Sequence, residues 1–152
     1  MKKFIYSMAA LLALATGFTA CGDDNDDPSY NYSTTAEAGS AGTYTGTWTR
    51  VSDDGTETFS GSVTLAAGSL AGTSNVTFSC PEAELSASSI ANVWHSNDGY
   101  QFVNQTVSDA NSLGASFAGR ISGNGELTTA FTISQKVGRK TVAYKYSFIG
   151  QK

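Results

Sequence analysis

Between Gly42 and Gly150 the chain alternates apolar and polar residues in short segments separated by turn signals. Period-2 alternation sends successive side chains to opposite faces, so each segment reads as a β-strand with one apolar face. "GTYTGTWTRV" (42–51) sets Tyr44, Gly46 and Trp48 on one face and threonines on the other. "TETFSGSVTL" (56–65) aligns Phe59, Val63 and Leu65, and "SNVTFSC" (74–80) aligns Val76, Phe78 and Cys80. "IANVWH" (90–95) and "YQFVNQTV" (100–107) alternate less cleanly, but the "SNDG" between them (96–99) is a hairpin signal. "LGASFAGRIS" (113–122) aligns Ala115, Phe117 and Ile121. After a "GNG" turn, "ELTTAFTIS" (126–134) aligns Leu127, Phe131 and Ile133, and "RKTVAYKYSFIG" (139–150) aligns Val142, Tyr144, Tyr146 and Phe148. Residues 81–89, "PEAELSASS", read as a helical turn or an irregular crossing, and the pattern contains no long amphipathic helix.

Eight such strands in sequence predict an all-β fold with antiparallel pairing, because each strand keeps one wet face. Hairpin-joined strands avoid open edges by closing, which predicts an eight-stranded antiparallel up-and-down barrel. A β-sandwich is the alternative that periodicity alone leaves open. The expected inward row holds Phe59, Phe78, Phe117, Phe131, Tyr144, Tyr146 and Phe148. Each aromatic side chain buries roughly 150–250 Å², so this row fills most of a barrel of this size and confines any cavity to an open end. Gly46, Gly61 and Gly119 are expected to leave room on inward faces.

The N-terminal part follows different rules. Lys2 and Lys3 precede an almost wholly apolar run from Phe4 to Phe18. That run is too short to cross a ~30 Å hydrocarbon core comfortably and has the build of a secretory signal peptide. Its end, Phe18-Thr19-Ala20-Cys21, resembles a bacterial lipoprotein lipobox, although Phe and Thr depart from the usual first two positions. The resemblance implies that residues 1–20 are removed and that Cys21 becomes a lipidated N-terminus, a membrane partner through its acyl chains. Two or more acyl chains hold stably where one gives only marginal binding. "CGDDNDD" resembles the acid-rich tether that follows the cysteine in many Bacteroidetes lipoproteins, a pattern associated with export to the cell surface. Asp23, Asp24, Asp26 and Asp27 are the residues that carry it. Residues 21–41 hold almost no bulky aliphatic side chain and are expected to be a disordered tether reaching roughly 25 Å. The expected organisation is therefore signal peptide 1–20, lipidated cysteine and tether 21–41, and barrel 42–152, in an outer-membrane lipoprotein facing the cell surface.

Charge excludes one class of partner. From Gly42 onward there are seven basic and eight acidic residues, which leaves a single net negative charge and no basic stripe for nucleic acid. A catalytic constellation is equally hard to assemble. The one histidine, His95, precedes the "SNDG" turn with Asp98 as its only close acidic neighbour, short of a zinc ligand set. Asp53-Asp54 and Glu82/Glu84 read as solvated turn acids. Cys80 has no partner for a disulfide once Cys21 is lipidated, and it sits in register with buried strand positions. The expectation is a non-enzyme with no catalytic residues, no metal and no cofactor.

The Gly-x-Trp of "YTGTW" resembles the first strand of calycins, the lipocalin and streptavidin superfamily. Together "GTYTGTWT", "VTFSCPEAEL", "FAGRISGNGELTTAFTISQ" and "KTVAYKYSFIG" resemble the calycin-like β-barrel domain of Bacteroidetes lipoproteins over residues 42–150. Lipocalins proper set a basic residue of the last strand against this tryptophan. Antiparallel pairing of the first and last strands is expected to bring Trp48 near Tyr144, and Arg139 lies too early to stack on Trp48. The resemblance implies a small secreted or lipid-anchored barrel, and the inward aromatic row interrupted by glycines suggests that it binds. Its expected ligand is small and partly apolar, held at the mouth, with Trp48, Tyr144 and Tyr146 as candidate contacts. The alternative is a filled barrel that binds protein or glycan, with Trp94 and Tyr100 beside the "HSNDG" turn as a stacking platform.

Overall fold

The computed structural model describes residues 34–105 and 112–152. Eight strands form a closed barrel in chain order: β1 (Gly42–Ser52), β2 (Gly55–Ala67), β3 (Thr73–Cys80), β4 (Leu85–Ser96), β5 (Gly99–Asn104), β6 (Phe117–Ser122), β7 (Glu126–Val137) and β8 (Lys140–Gln151). Every neighbouring pair is antiparallel, and β8 returns to β1 to close the cylinder from Thr45↔Gln151 to Val51↔Lys145. The up-and-down barrel is thus the architecture adopted, rather than the sandwich.

Several strand ends differ from the sequence reading (β5 stops at Asn104, β6 starts at Phe117 and β7 runs to Val137), and two further boundary differences shape the ends of the barrel. Residues 81–89 hold a helical turn only at their start: a single 3-10 turn at Pro81–Ala83 leads directly into β4, which begins at Leu85 rather than at 90. The strand is hidden in sequence because its inward positions are Leu85, Ala87 and Ser89, which offer little apolar contrast to the serines between them. At the other boundary, a helical turn, α1 (Ala36–Ser40), precedes β1, and the compact unit starts at Thr35 rather than at 42. The Tyr44 hydroxyl donates to the Ser40 carbonyl at 2.8 Å, and Lys152 Nζ donates to the Ala41 carbonyl at 2.5 Å. These bonds tie α1 to the end of the barrel where β1 begins and β8 finishes.

Burial of the Tyr44 phenol, and secondarily the nearby Tyr100, pushes its pKa up to about 12 from an ordinary 10.0. The folded state therefore holds this proton more tightly than the unfolded chain does. The associated stability is intact below pH 10 and is lost as pH rises through about 12, because the unfolded chain ionises first. Denaturant midpoints are expected to fall over that alkaline window, and Tyr44→Phe is expected to flatten the fall relative to the native chain.

The interior is aromatic. Trp48 is wholly buried, and its ring meets Phe78 (6.2 Å between centroids), Phe131 (5.7 Å), Tyr146 (6.3 Å) and Phe148 (4.9 Å). Phe78 in turn packs edge-on against Phe117 at 5.0 Å. The inward row of the sequence reading is observed, with Phe59 and Tyr144 half-buried at its outer limit. Trp48 pairs across the seam with Phe148, however, and not near Tyr144. The register is set by Gly46↔Gly150, where the absence of two side chains lets β1 and β8 approach closely. The inward glycines also correct an expectation. A Cβ on Gly61 would lie 2.6 Å from Trp48 Cδ1, and one on Gly119 would lie 2.6 Å from Phe102 Cε1. These positions are seats already filled by the Trp48 and Phe102 rings rather than free space.

Candidate functional site

The two ends of the barrel are not equivalent. One is covered by α1. At the other, the β1–β8 seam stops at Val51↔Lys145, while the β1–β2 ladder continues to Ser52↔Gly55 and the β7–β8 ladder to Val137↔Lys140. Two hairpins therefore extend past the closed wall. Their inner faces continue the inward alternation and carry Arg50, Glu57 and Phe59 on one hairpin and Ile133 and Tyr144 on the other.

Arg50 occupies the middle of this mouth. Its guanidinium carbon is 5.1 Å from the Phe59 ring centre and 5.3 Å from that of Tyr144, a cation held beside two aromatic rings. Its Nε and Nη2 donate to Glu57 Oε2 at 3.0 and 2.6 Å. The hydrogen bond to Glu57, followed by one to Tyr146, raises the guanidinium pKa above its ordinary value, so the group stays charged throughout. The side chain is 23% exposed at this end of the barrel. Below it the stacked rings of Phe131 and Tyr146, 5.4 Å apart, form a closed apolar floor over Trp48. Such a surface can hold a flat or partly apolar group against the rings and give hydrogen bonds to an acceptor on it.

The candidate residues separate accordingly. Tyr144 lies at the mouth, Tyr146 forms its floor, and Trp48 is buried beneath both. Trp94 points outward on β4 opposite Gln101 and is 39% exposed, whereas Tyr100 points inward, its ring 5.1 Å from that of His95. Because they occupy opposite faces of the wall, Trp94 and Tyr100 do not form one stacking platform. His95 and Tyr100 lie at the α1 end, away from the mouth. Asp98 is engaged in its turn: it accepts from Arg120 at 3.0 Å and from the Gly123 N–H at 3.3 Å. Cys80 is a buried free thiol whose pKa is raised chiefly by desolvation, the opposite of what activates a nucleophile. Cys21, Asp23, Asp24, Asp26 and Asp27 lie outside the described residues.

Arg50 was missed in the sequence reading. The available signal was its position two residues after Trp48, which puts it on the inward face one layer higher. A charged residue in an inward register at a strand end marks a barrel mouth. No protein-family model matches this chain, no curated protein matches it, and no solved structure matches it.

Proposed function

We propose that the domain is a non-catalytic binding module that takes a small, partly apolar ligand at the open end of the barrel. The ligand would rest against Phe59, Tyr144 and Ile133, with an acceptor group on the N–H groups of Arg50. The observation that carries this reading is the asymmetry of the barrel: α1 covers one end, aromatic rings fill the middle, and a half-exposed aromatic–guanidinium group stands at the other end. In the same reading Cys21 anchors the module by acyl chains to the outer membrane of a bacterial envelope, facing the cell surface. The tether with Asp23, Asp24, Asp26 and Asp27 supports that placement. The calycin-like resemblance agrees with a closed eight-stranded barrel of this kind.

Native mass spectrometry of the protein purified from its own cells is expected to show a small co-purified mass. Phe59→Ala with Tyr144→Ala is expected to remove it while the barrel still folds, because both rings are only half-buried. A chain that carries nothing, or whose adduct survives the double substitution, argues against the mouth. For the anchor, Cys21→Ser is expected to move the protein from the membrane fraction to the soluble fraction; continued membrane association argues against lipidation.

A second reading, a filled barrel that binds protein or glycan on its outer wall, is supported by Trp94. It is exposed on a rigid strand, in one outward row with Gln101 and with Arg120, which Asp98 holds in place. Trp and Arg are the side chains most often found as binding anchors. Trp94→Ala separates the two readings, because it alters the outer wall and leaves the mouth intact.

A further inference from the structure

Two hydroxyls face the barrel interior without a hydrogen-bond partner among the described residues. Ser74 is 0% exposed and Ser89 is 2% exposed, and neither Oγ has a hydrogen-bond partner among the described residues. The ladder pairs Ser74 with Ala91 and Val76 with Ser89, which makes the two serines diagonal neighbours on the inner face of β3 and β4. Cβ atoms in that relation lie roughly 7–8 Å apart or somewhat less. The gap suits one bridging molecule with two hydrogen bonds of about 2.8 Å each. The surrounding inward positions on β4 are the small Ala87 and Ala91. In the same row Ala91 is followed by the buried Asn104, whose Oδ1 accepts the Phe117 N–H at 3.1 Å.

A buried hydroxyl without a partner costs roughly 1–3 kcal/mol. Two on one patch of wall, in the same row as the buried Asn104, mark a place that suits a small polar guest. Solvent does not reach either hydroxyl, and the neighbouring inward residues Leu65, Val76 and Val93 are themselves buried. The guest must therefore be small. We propose that the β3–β4 wall holds one structural water, bridging Ser74 Oγ and Ser89 Oγ. The site is separate from the mouth and does not depend on any ligand there. It gives the barrel a polar side wall, so that the interior is not uniformly apolar.

The test uses the full chain with Ser74→Ala, Ser89→Ala and the double variant. It reads thermal midpoints together with the long-lived water contribution to oxygen-17 relaxation dispersion. Each single variant is expected to lower Tm by roughly 2–5 °C, because the water loses one of its two anchors. The double variant is expected to lose the signal of one long-lived water, and Ser89→Thr, which keeps a hydroxyl, is expected to retain it. If the single alanine variants raise Tm instead, the wall is dry and the substitutions merely remove an orphan hydroxyl; that overturns the proposal. An unchanged relaxation signal in the double variant overturns it equally.

Discussion

Trp48→Ala is expected to lower the unfolding free energy by about 3–5 kcal/mol. The side chain is completely buried, meets four other aromatic rings and donates its indole N–H to the Ser79 carbonyl at 3.1 Å. Truncation removes the transfer free energy of a large ring, opens a void among rings that cannot all collapse into it, and leaves that carbonyl without its donor. Domains of this size are stable by only about 5–15 kcal/mol, so a substantial share of the total is at stake. Urea denaturation followed by far-ultraviolet circular dichroism measures the loss. Trp48→Phe keeps part of the ring volume, loses the hydrogen bond to Ser79, and is expected to fall between the native chain and the alanine variant. A loss below about 1 kcal/mol for Trp48→Ala would mean that the interior is not organised around this ring.

The second large effect is expected at the seam. Gly46 pairs with Gly150 where β1 meets β8, and a Cβ on Gly46 would lie 2.8 Å from the backbone carbonyl carbon of Ile149. The obstacle is backbone, which cannot rotate away as a side chain does. Gly46→Ala is therefore expected to cost about 3 kcal/mol through forced separation of the two strands, at the upper end of overpacking effects. Because the strain falls on the closing ladder, amide hydrogen exchange in Thr45–Val51 and Lys145–Gln151 is expected to accelerate more than exchange in β3 and β4. Thr45→Ala, one residue away but exposed on the outer face, is expected to stay within about 0.5 kcal/mol of the native chain. Equal behaviour of the two variants would remove the argument that close approach at Gly46↔Gly150 sets the register.

Both predictions depend on features of different legibility. The strand containing Trp48 is plain in "GTYTGTWTRV", because Tyr44 and Trp48 share one face with Gly46 while Thr43, Thr45, Thr47 and Thr49 hold the other. The same contrast identifies β7 and β8, where Leu127, Phe131, Tyr146 and Phe148 face one way among threonines, serines and a lysine. The contrast fails at Leu85–Ser89, where the inward residues after Leu85 are small or polar, and the strand there forms because β3 offers a ladder on which it can pair. It fails again at α1, which is five residues long and has no helical periodicity to show. What fastens the end of α1 to the barrel includes Lys152 Nζ on the Ala41 carbonyl, a contact between distant parts of the chain that needs β8 to have returned to β1.

The candidate site shows the same division. Tyr144 and Tyr146 were legible as inward aromatics, but their heights were not, since those depend on where β8 meets β1. A shift in that register changes which ring lies beside Trp48 and which lies beside Arg50. Glycines misled for a related reason: an inward glycine reads as vacancy when only its own side chain is considered, and Gly61 and Gly119 are filled from across the wall by Trp48 and Phe102.

Residue by residue, the chain determined that it would form β-strands, which side of each would be apolar, and that the apolar sides would be largely aromatic. These properties follow from local alternation and need no knowledge of neighbours. Closure, the seam register, the covered end and the placement of Arg50 between Phe59 and Tyr144 were decided only in three dimensions. They arise from contacts between residues far apart in the chain, where backbone approach and ring volume select one arrangement among many that the alternation permits.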